Sequence, residues 1–424
     1  MGFFENDGYR KAIFRGFDIS GFLFFALALG APSGYSYGAA GFLLFALLGL
    51  PLVQGSLRGC ESRVLCAIML GMGLLWGLSF DGWWTWSGSD YWLKYGLAAL
   101  TLVMASRIGV GSRGVAWGMA LGGAGALAAA AYDYLVLRLD KAWGFTNAIQ
   151  FGGIAMYLGI ATWAVALFGG WRLRTAAALW ALGACGVLAS LLAESRGSWV
   201  VAPLLVAAML WLMWQHGKKA LALRALAGTV VLVAIMVVPA AHKFGSRAEL
   251  AVQEFALYQS NPQQAAVTSI GQRLEQWKLA VHLGLERPWT GWGLQGFAAQ
   301  KQVMVAQGLA HPSVLEYGHA HNEILDMWAK RGLVGVAVLL LFYAIPLWAF
   351  WPTVKRLQRV PPARQAELLA MRVAGALLPI AYFGFGWTQV FFAHNSGNLF
   401  YLFSIVALWG AVCRLQQTAE AAAQ

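Results

Sequence analysis

Apolar runs of membrane-spanning length, broken by short polar segments, recur along most of the chain. A crossing helix needs about 20 mostly apolar residues. Runs of this kind lie at 20–37, 39–55, 64–80, 91–106, 114–132, 148–170, 175–193, 199–216, 225–241, 332–351, 367–391 and 398–413. They predict an all-α polytopic membrane protein with about twelve transmembrane helices. The breaks alternate in character. After an N-terminal stretch carrying Arg10, Lys11 and Arg15, every second break is short and basic. These breaks hold Arg58 and Arg63; Arg107 and Arg113; Arg172 and Arg174; Lys218, Lys219 and Arg224; Lys355, Arg356, Arg359 and Arg364. Short basic loops stay on the cytoplasmic side, so both termini are expected there. The polar N-terminus passes straight into a full-length apolar run, the pattern of a first span and not of a cleaved signal peptide.

The other breaks are expected to face outward. Two are aromatic, Asp81-Gly-Trp-Trp-Thr-Trp and Tyr132-Asp-Tyr. Asp81, Asp133 and Asp140 are isolated and read as surface residues. One stretch departs from the pattern: residues 242–331 are too polar to span. Their helical periodicity predicts a folded outer loop between the ninth and tenth spans. The chain thus divides into residues 1–241 with nine spans, a loop at 242–331, and residues 332–424 with three spans and a cytoplasmic C-terminus.

Composition agrees with this reading. Of 424 residues, 59% are hydrophobic and 11% charged, against about 25% charged in a soluble domain. Mean hydropathy is +0.61. The net charge of +12 would by itself suggest nucleic acid. The basic residues sit in alternate loops, however, so the excess reads as topology and no nucleic-acid partner is expected. Cys60, Cys66, Cys185 and Cys413 fall in or beside apolar runs and short basic loops, which implies no disulfide framework. Glycine and tryptophan are abundant, at 50 and 21 residues; the first permits close helix packing and the second favours the membrane interface.

Three polar features stand out on the predicted outer side. The first is Ser269-Ile-Gly-Gln-Arg-Leu-Glu-Gln-Trp. Ser269 and Gln272 have the spacing of a capping box. Ile270, Leu274, Trp277 and Val281 then form one apolar helical stripe with Arg273 on its flank. Arg273 is either a ligand-binding group or an interfacial arginine snorkelling to the surface. The second is Glu194-Ser-Arg-Gly-Ser-Trp, where Ser195 and Ser198 can cap the following helix. Arg196 beside that helix N-terminus makes an anion site, or else pairs with Glu194 as a structural element.

The third feature is His319-Ala-His-Asn-Glu-Ile-Leu-Asp, at the start of the tenth span. His321 lies near the positive end of a helix, which favours a neutral imidazole suited to general-base work. A capping or core histidine is the alternative. A metal reading would take His319 and His321 with His311 or Asp326, but the spacing matches no zinc signature. Two arginines suit a diphosphate, and one histidine suits removal of a hydroxyl proton. The combination reads as group transfer from a lipid diphosphate to a hydroxyl. No Walker loop, dinucleotide turn or pair of membrane-buried carboxylates appears.

These motifs resemble those of the bacterial O-antigen ligases, within the O-antigen ligase/polymerase superfamily. Three carry the likeness. One is Ser195-Arg196-Gly197 before a span. Another is Arg273 ahead of Trp277 and the run Arg287-Pro-Trp-Thr-Gly-Trp-Gly. The third is His321-Asn322, nine residues, Gly332, two residues and Gly335. The resemblance implies a GT-C-like membrane glycosyltransferase of the Gram-negative inner membrane. Its site would face the periplasm and use neither metal nor cofactor. It would transfer O-antigen from undecaprenyl diphosphate to a sugar hydroxyl of lipid A–core, with inversion. Arg196 and Arg273 would bind the diphosphate and His321 would deprotonate or orient the acceptor, with Ser195, Gln272, His319 and Asn322 around them. The alternatives are an O-antigen polymerase or a protein O-oligosaccharyltransferase using the same donor, and, from another class, a transporter.

Overall fold

The computed structural model describes residues 7–52, 59–79, 86–217 and 241–423, with isolated positions between 220 and 228. Among the described residues the chain is helical, with short connecting turns. The first eight long helices are α1 (Asp7–Leu27), α2 (Gly34–Gly49), α3 (Cys60–Leu78), α4 (Trp86–Ile108), α5 (Ser112–Leu135), α6 (Ala148–Phe168), α7 (Leu173–Leu192) and α8 (Arg196–Gln215). After them come α9 (Ala241–Ser260), α10 (Ser269–Glu286), α11 (Gly293–Ala306), α12 (Glu323–Phe350), α13 (Pro362–Phe385) and α14 (Asn395–Ala423). Nine helices of the described residues are long and apolar enough to cross a membrane. The protein is therefore a polytopic all-α membrane protein. Each expected span has a helical counterpart except the ninth, 225–241, which lies almost wholly outside the described residues.

The first two helices differ from the expected 20–37 and 39–55. α1 starts at Asp7, and the break falls at residues 28–33. Pro32 has no N–H to donate and restricts Ala31, while Ser33 turns the chain with φ 50°. Within α1, Lys11 pairs with Asp7 one turn earlier. Asp18 accepts from the Gly111 N–H at 2.7 Å and pairs with Arg414.

The innermost helices are α6, α13 and α14, which are almost wholly buried. α6 carries no charge and presents Gly159 to Gly183 and Gly186 of α7. A Cβ on Gly186 would lie 2.9 Å from the Gly159 nitrogen, so this pair packs backbone to backbone. Tyr382, Phe392 and Tyr401 cluster where α13 meets α14, with Tyr382 and Tyr401 rings 4.7 Å apart. Asp133 corrects the expectation of a surface residue. It is buried, and its Oδ2 accepts the N–H groups of Trp143 and Gly144, both at 2.7 Å. Asp140 is exposed as expected, and Asp81 lies outside the described residues.

Helices α10 and α11, with a 3-10 turn at Pro312–Glu316, build a second apolar cluster at one end of the bundle. Leu279, Leu283, Phe297, Met304 and Val314 fill it. The N-cap of α10 is Thr268, whose Oγ1 accepts the Gly271 N–H at 3.1 Å, so the expected Ser269–Gln272 capping box does not form. Gln272 instead donates to Glu316 at 2.7 Å. The face of α10 buried in the protein is Gly271, Glu275, Gln276, Leu279, Ala280 and Leu283. The apolar stripe Ile270–Leu274–Trp277–Val281 is turned away from it and only partly covered.

α12 is two helices joined at Gly332, which adopts φ 64° and ψ −166°. The run Arg287–Gly293 lies against this break. Leu333 donates to the Pro288 carbonyl at 2.7 Å, and Trp292 donates to that of Ala329 at 3.0 Å. A Cβ on Gly332 would meet the Trp289 carbonyl carbon at 2.1 Å. The residue must therefore be glycine on two counts, its backbone conformation and the approach of the Trp289–Thr290 backbone. Arg331 beside it stacks on Trp76, 3.7 Å from the ring centre, and donates to Ser79 Oγ at 2.9 Å.

Candidate active site

Four segments converge at the same end of the bundle. They are the start of α8, the first turns of α10, residues 317–326, and the turn between α13 and α14. Asn322 is the N-cap of α12. Its Oδ1 accepts the Ile324 and Leu325 N–H groups at 3.1 and 3.0 Å, and its Nδ2 donates to the Trp387 carbonyl at 3.3 Å. The Glu323 N–H donates to Gly386, and the Glu323 carboxylate accepts from Phe391 and Phe392 at 2.6 and 3.2 Å. The 386–392 turn is thus fastened to the start of α12 by backbone and side chain together.

His321 precedes this cap with φ 52°, a backbone state that few non-glycine residues adopt. That strain directs its ring towards Tyr317 and His319, with centroids at 4.5 and 4.4 Å. The ring is buried and hydrogen-bonded by Gln389, while its Nδ1 has no hydrogen-bond partner among the described residues. Burial, then repulsion from Arg273, pulls its pKa down to about 4. His319 is pulled down to about 3 by burial and by His321. His394 stacks edge-on to His319 at 5.6 Å and is lowered by burial. At these values the His319 and His321 imidazoles are neutral at pH 7.

The segment holding the histidines is clamped from behind. Asp326 Oδ1 accepts the Ala320 N–H at 2.9 Å, and Lys330 bridges Asp326 Oδ2 and the Gly318 carbonyl, each at 2.9 Å. Lys301 of α11 donates to Gln276 Oε1, the Val314 carbonyl and the Tyr317 carbonyl at 2.8, 2.9 and 2.7 Å. Burial lowers the Lys301 pKa to about 7, but three acceptors around one nitrogen match the three donors of an ammonium. Sequence reasoning missed Lys301, whose only signal was a basic residue inside an apolar helix face.

Arg273 carries the positive field at the site. It is half-buried, and its pKa is lowered by burial and then by repulsion from Arg196, with Tyr317 and Glu254 opposing. Arg196 is the first residue of α8. Ser195 occupies the N-cap position, yet makes no capping bond. Its Oγ is 2.8 Å from that of Ser198, so the expected serine caps do not form. Gly197 lies against the side chain of Thr388. The structure therefore brings Arg273 into electrostatic reach of both Arg196 and His321, with His319 and Asn322 beside His321. Gln272 is turned to Glu316 at the edge. Among the described residues, no group of three or more His, Cys, Asp and Glu is placed to hold a metal ion.

Residues 177–340 match the family described as O-antigen ligase. Over those residues the chain is similar to that family. The matched region contains Arg196, Arg273, His319, His321, Asn322 and Gly332, while the turn with Thr388, Gln389 and His394 lies beyond it. An uncharacterised protein of Haemophilus influenzae is 28% identical over 277 residues. That similarity covers 64% of this chain and 66% of the relative, a little under two thirds of its length. The matched region thus includes the two arginines and the histidine, and the turn that packs against the start of α12 follows it.

Proposed function

We propose that the protein is an O-antigen ligase of the Gram-negative inner membrane. It would move O-antigen from undecaprenyl diphosphate to a sugar hydroxyl of lipid A–core at the periplasmic face. The observation that carries this reading is a neutral, buried His321 in reach of Arg273, which in turn lies close enough to Arg196 for the two arginines to repel each other. Like charges brought together in this way are stabilised by an anion, and planar guanidinium forks match phosphate oxygens.

The chemistry follows from those charges. His321 takes the proton of the acceptor hydroxyl as its oxygen attacks the anomeric carbon. The bond from that carbon to the diphosphate oxygen breaks, and its electron pair leaves with the diphosphate. Arg196 and Arg273 meet the growing negative charge, the part a divalent cation plays in other sugar transfers. Attack opposite the leaving group inverts the anomeric centre. Gln389 and the Asp326–Lys330 clamp hold the imidazole in place, so its orientation is set before the substrate arrives.

The test offers purified enzyme and the lipid-linked glycan to three acceptors in parallel: lipid A–core, a second lipid-linked glycan, and a serine-rich protein. Modification of lipid A–core is the expected result. Chain extension on the lipid-linked glycan would make the protein a polymerase, and modified protein would make it a protein O-oligosaccharyltransferase. Either would overturn the ligase reading. The same reaction in EDTA should proceed unchanged; loss of transfer restored by a divalent cation would reject the metal-free route.

A further inference from the structure

The end of the bundle opposite His321 carries a cavity of about 580 Å³ that the transfer reaction does not use. It lies where α12 ends, roughly 40 Å along the helix from its start at 1.5 Å per residue. Its two walls differ. One is apolar and faces outward: Ala344 is exposed, and Trp348 is 46% exposed. The other is basic, with Lys355, Arg356 and Arg359 set against the single carboxylate of Glu61.

The charges are unequally employed. Arg356 is buried and donates to the Trp348 and Trp351 carbonyls, closing the C-terminus of α12. It and Arg359 share Glu61, at 3.7 and 3.4 Å. Lys355 and Arg359 are exposed to the cavity side. Behind them Arg372 is fully buried and donates to the Ala349 carbonyl at 2.9 Å. Its Nε and Nη2 have no hydrogen-bond partner among the described residues. One carboxylate cannot balance four cations, and a buried cation short of partners is costly. An anion in the cavity would offset the excess positive charge. An outward apolar wall directly above basic side chains matches the two parts of a lipid, acyl chain and phosphate.

We propose that this cavity binds an anionic phospholipid, its phosphate at Lys355 and Arg359 and its acyl chain along Ala344 and Trp348. The site is independent of the sugar-transfer reading, because none of its residues belongs to the His321 cluster.

The test reconstitutes the full-length protein into nanodiscs of phosphatidylglycerol or phosphatidylcholine. Retained lipid is then counted by native mass spectrometry after transfer to detergent. Wild-type protein should keep phosphatidylglycerol in preference to phosphatidylcholine. The double variant Lys355→Ala/Arg359→Ala should lose that preference, with affinity falling roughly fivefold for each basic side chain removed. Ala344→Trp, which fills the apolar wall and leaves every charge in place, should displace the lipid as well. Wild-type protein without a preference, or variants that retain it, would overturn the proposal. Equal protection of the site by inorganic phosphate alone would do so too, by showing a bare phosphate site.

Discussion

Gly197 and Thr388 leave no room between them: a Cβ on Gly197 would lie 2.1 Å from Thr388 Oγ1. This contact joins the arginine-bearing start of α8 to the turn that supplies Gln389. Gly197→Ala should therefore push the turn away, misplacing Arg196 and His321 together. Transfer should fall at least tenfold while the protein still inserts. Thr388→Ala removes the clashing oxygen, so the double variant should regain most of the loss. A double-mutant cycle on turnover measures this coupling, and additive effects would contradict it.

The Asp326–Lys330 pair is buried on both sides, with each side chain about 3% exposed. Lys330→Met leaves the Asp326 charge without its partner and should cost about 3–5 kcal/mol. Lys330→Met/Asp326→Asn should cost less than the single change, because no unpaired charge remains. Thermal unfolding in detergent, with and without the second substitution, tests the order.

Gly332→Ala combines a conformational penalty of about 1–3 kcal/mol with a backbone clash. The run Arg287–Gly293 should detach from α12 and become open to protease. Limited proteolysis should show a new cut near Trp289 in this variant, and an unchanged digestion pattern would count against the kink.

The pH dependence follows from the lowered histidines. Their folded pKa values, about 4 for His321 and about 3 for His319, lie below the ordinary 6.5. Between these limits an unfolded chain takes up protons that the folded chain refuses. Their contribution to stability is therefore complete above about pH 6.5 and is lost as pH falls towards 4. The base itself stays neutral over that range. A pH–rate profile should show its acid limb near pH 4, and a limb at the ordinary histidine value would contradict the burial argument.

Much of this was legible from the chain, for definable reasons. Span positions follow from apolar runs, which report burial in lipid directly. Arg196 stood out as the lone basic residue between Arg174 and Lys218, while Arg273 and His321 were singled out by the resemblance. Capping was less so: Thr268 replaces Ser269, and Ser195 bonds Ser198, since neighbouring hydroxyls compete for one cap. Thr388 and Gln389 were hidden by the apolar run 367–391, which hydropathy extends past the true helix end at Phe385. Asp133 was misjudged because an isolated carboxylate near a helix end gives no sign that two backbone N–H groups will close over it. The nine-residue spacing from Asn322 to Gly332 gained a physical meaning only in three dimensions. It is the length of the half-helix between the cap that holds His321 and the break that receives Trp289.

The most direct measurement is single-turnover transfer of glycan from its lipid diphosphate to lipid A–core by purified His321→Ala enzyme. If His321 removes the acceptor proton, the rate should fall by roughly 10²–10⁴ while donor binding is kept, since Arg196 and Arg273 remain. A variant within tenfold of the wild-type rate would contradict the account.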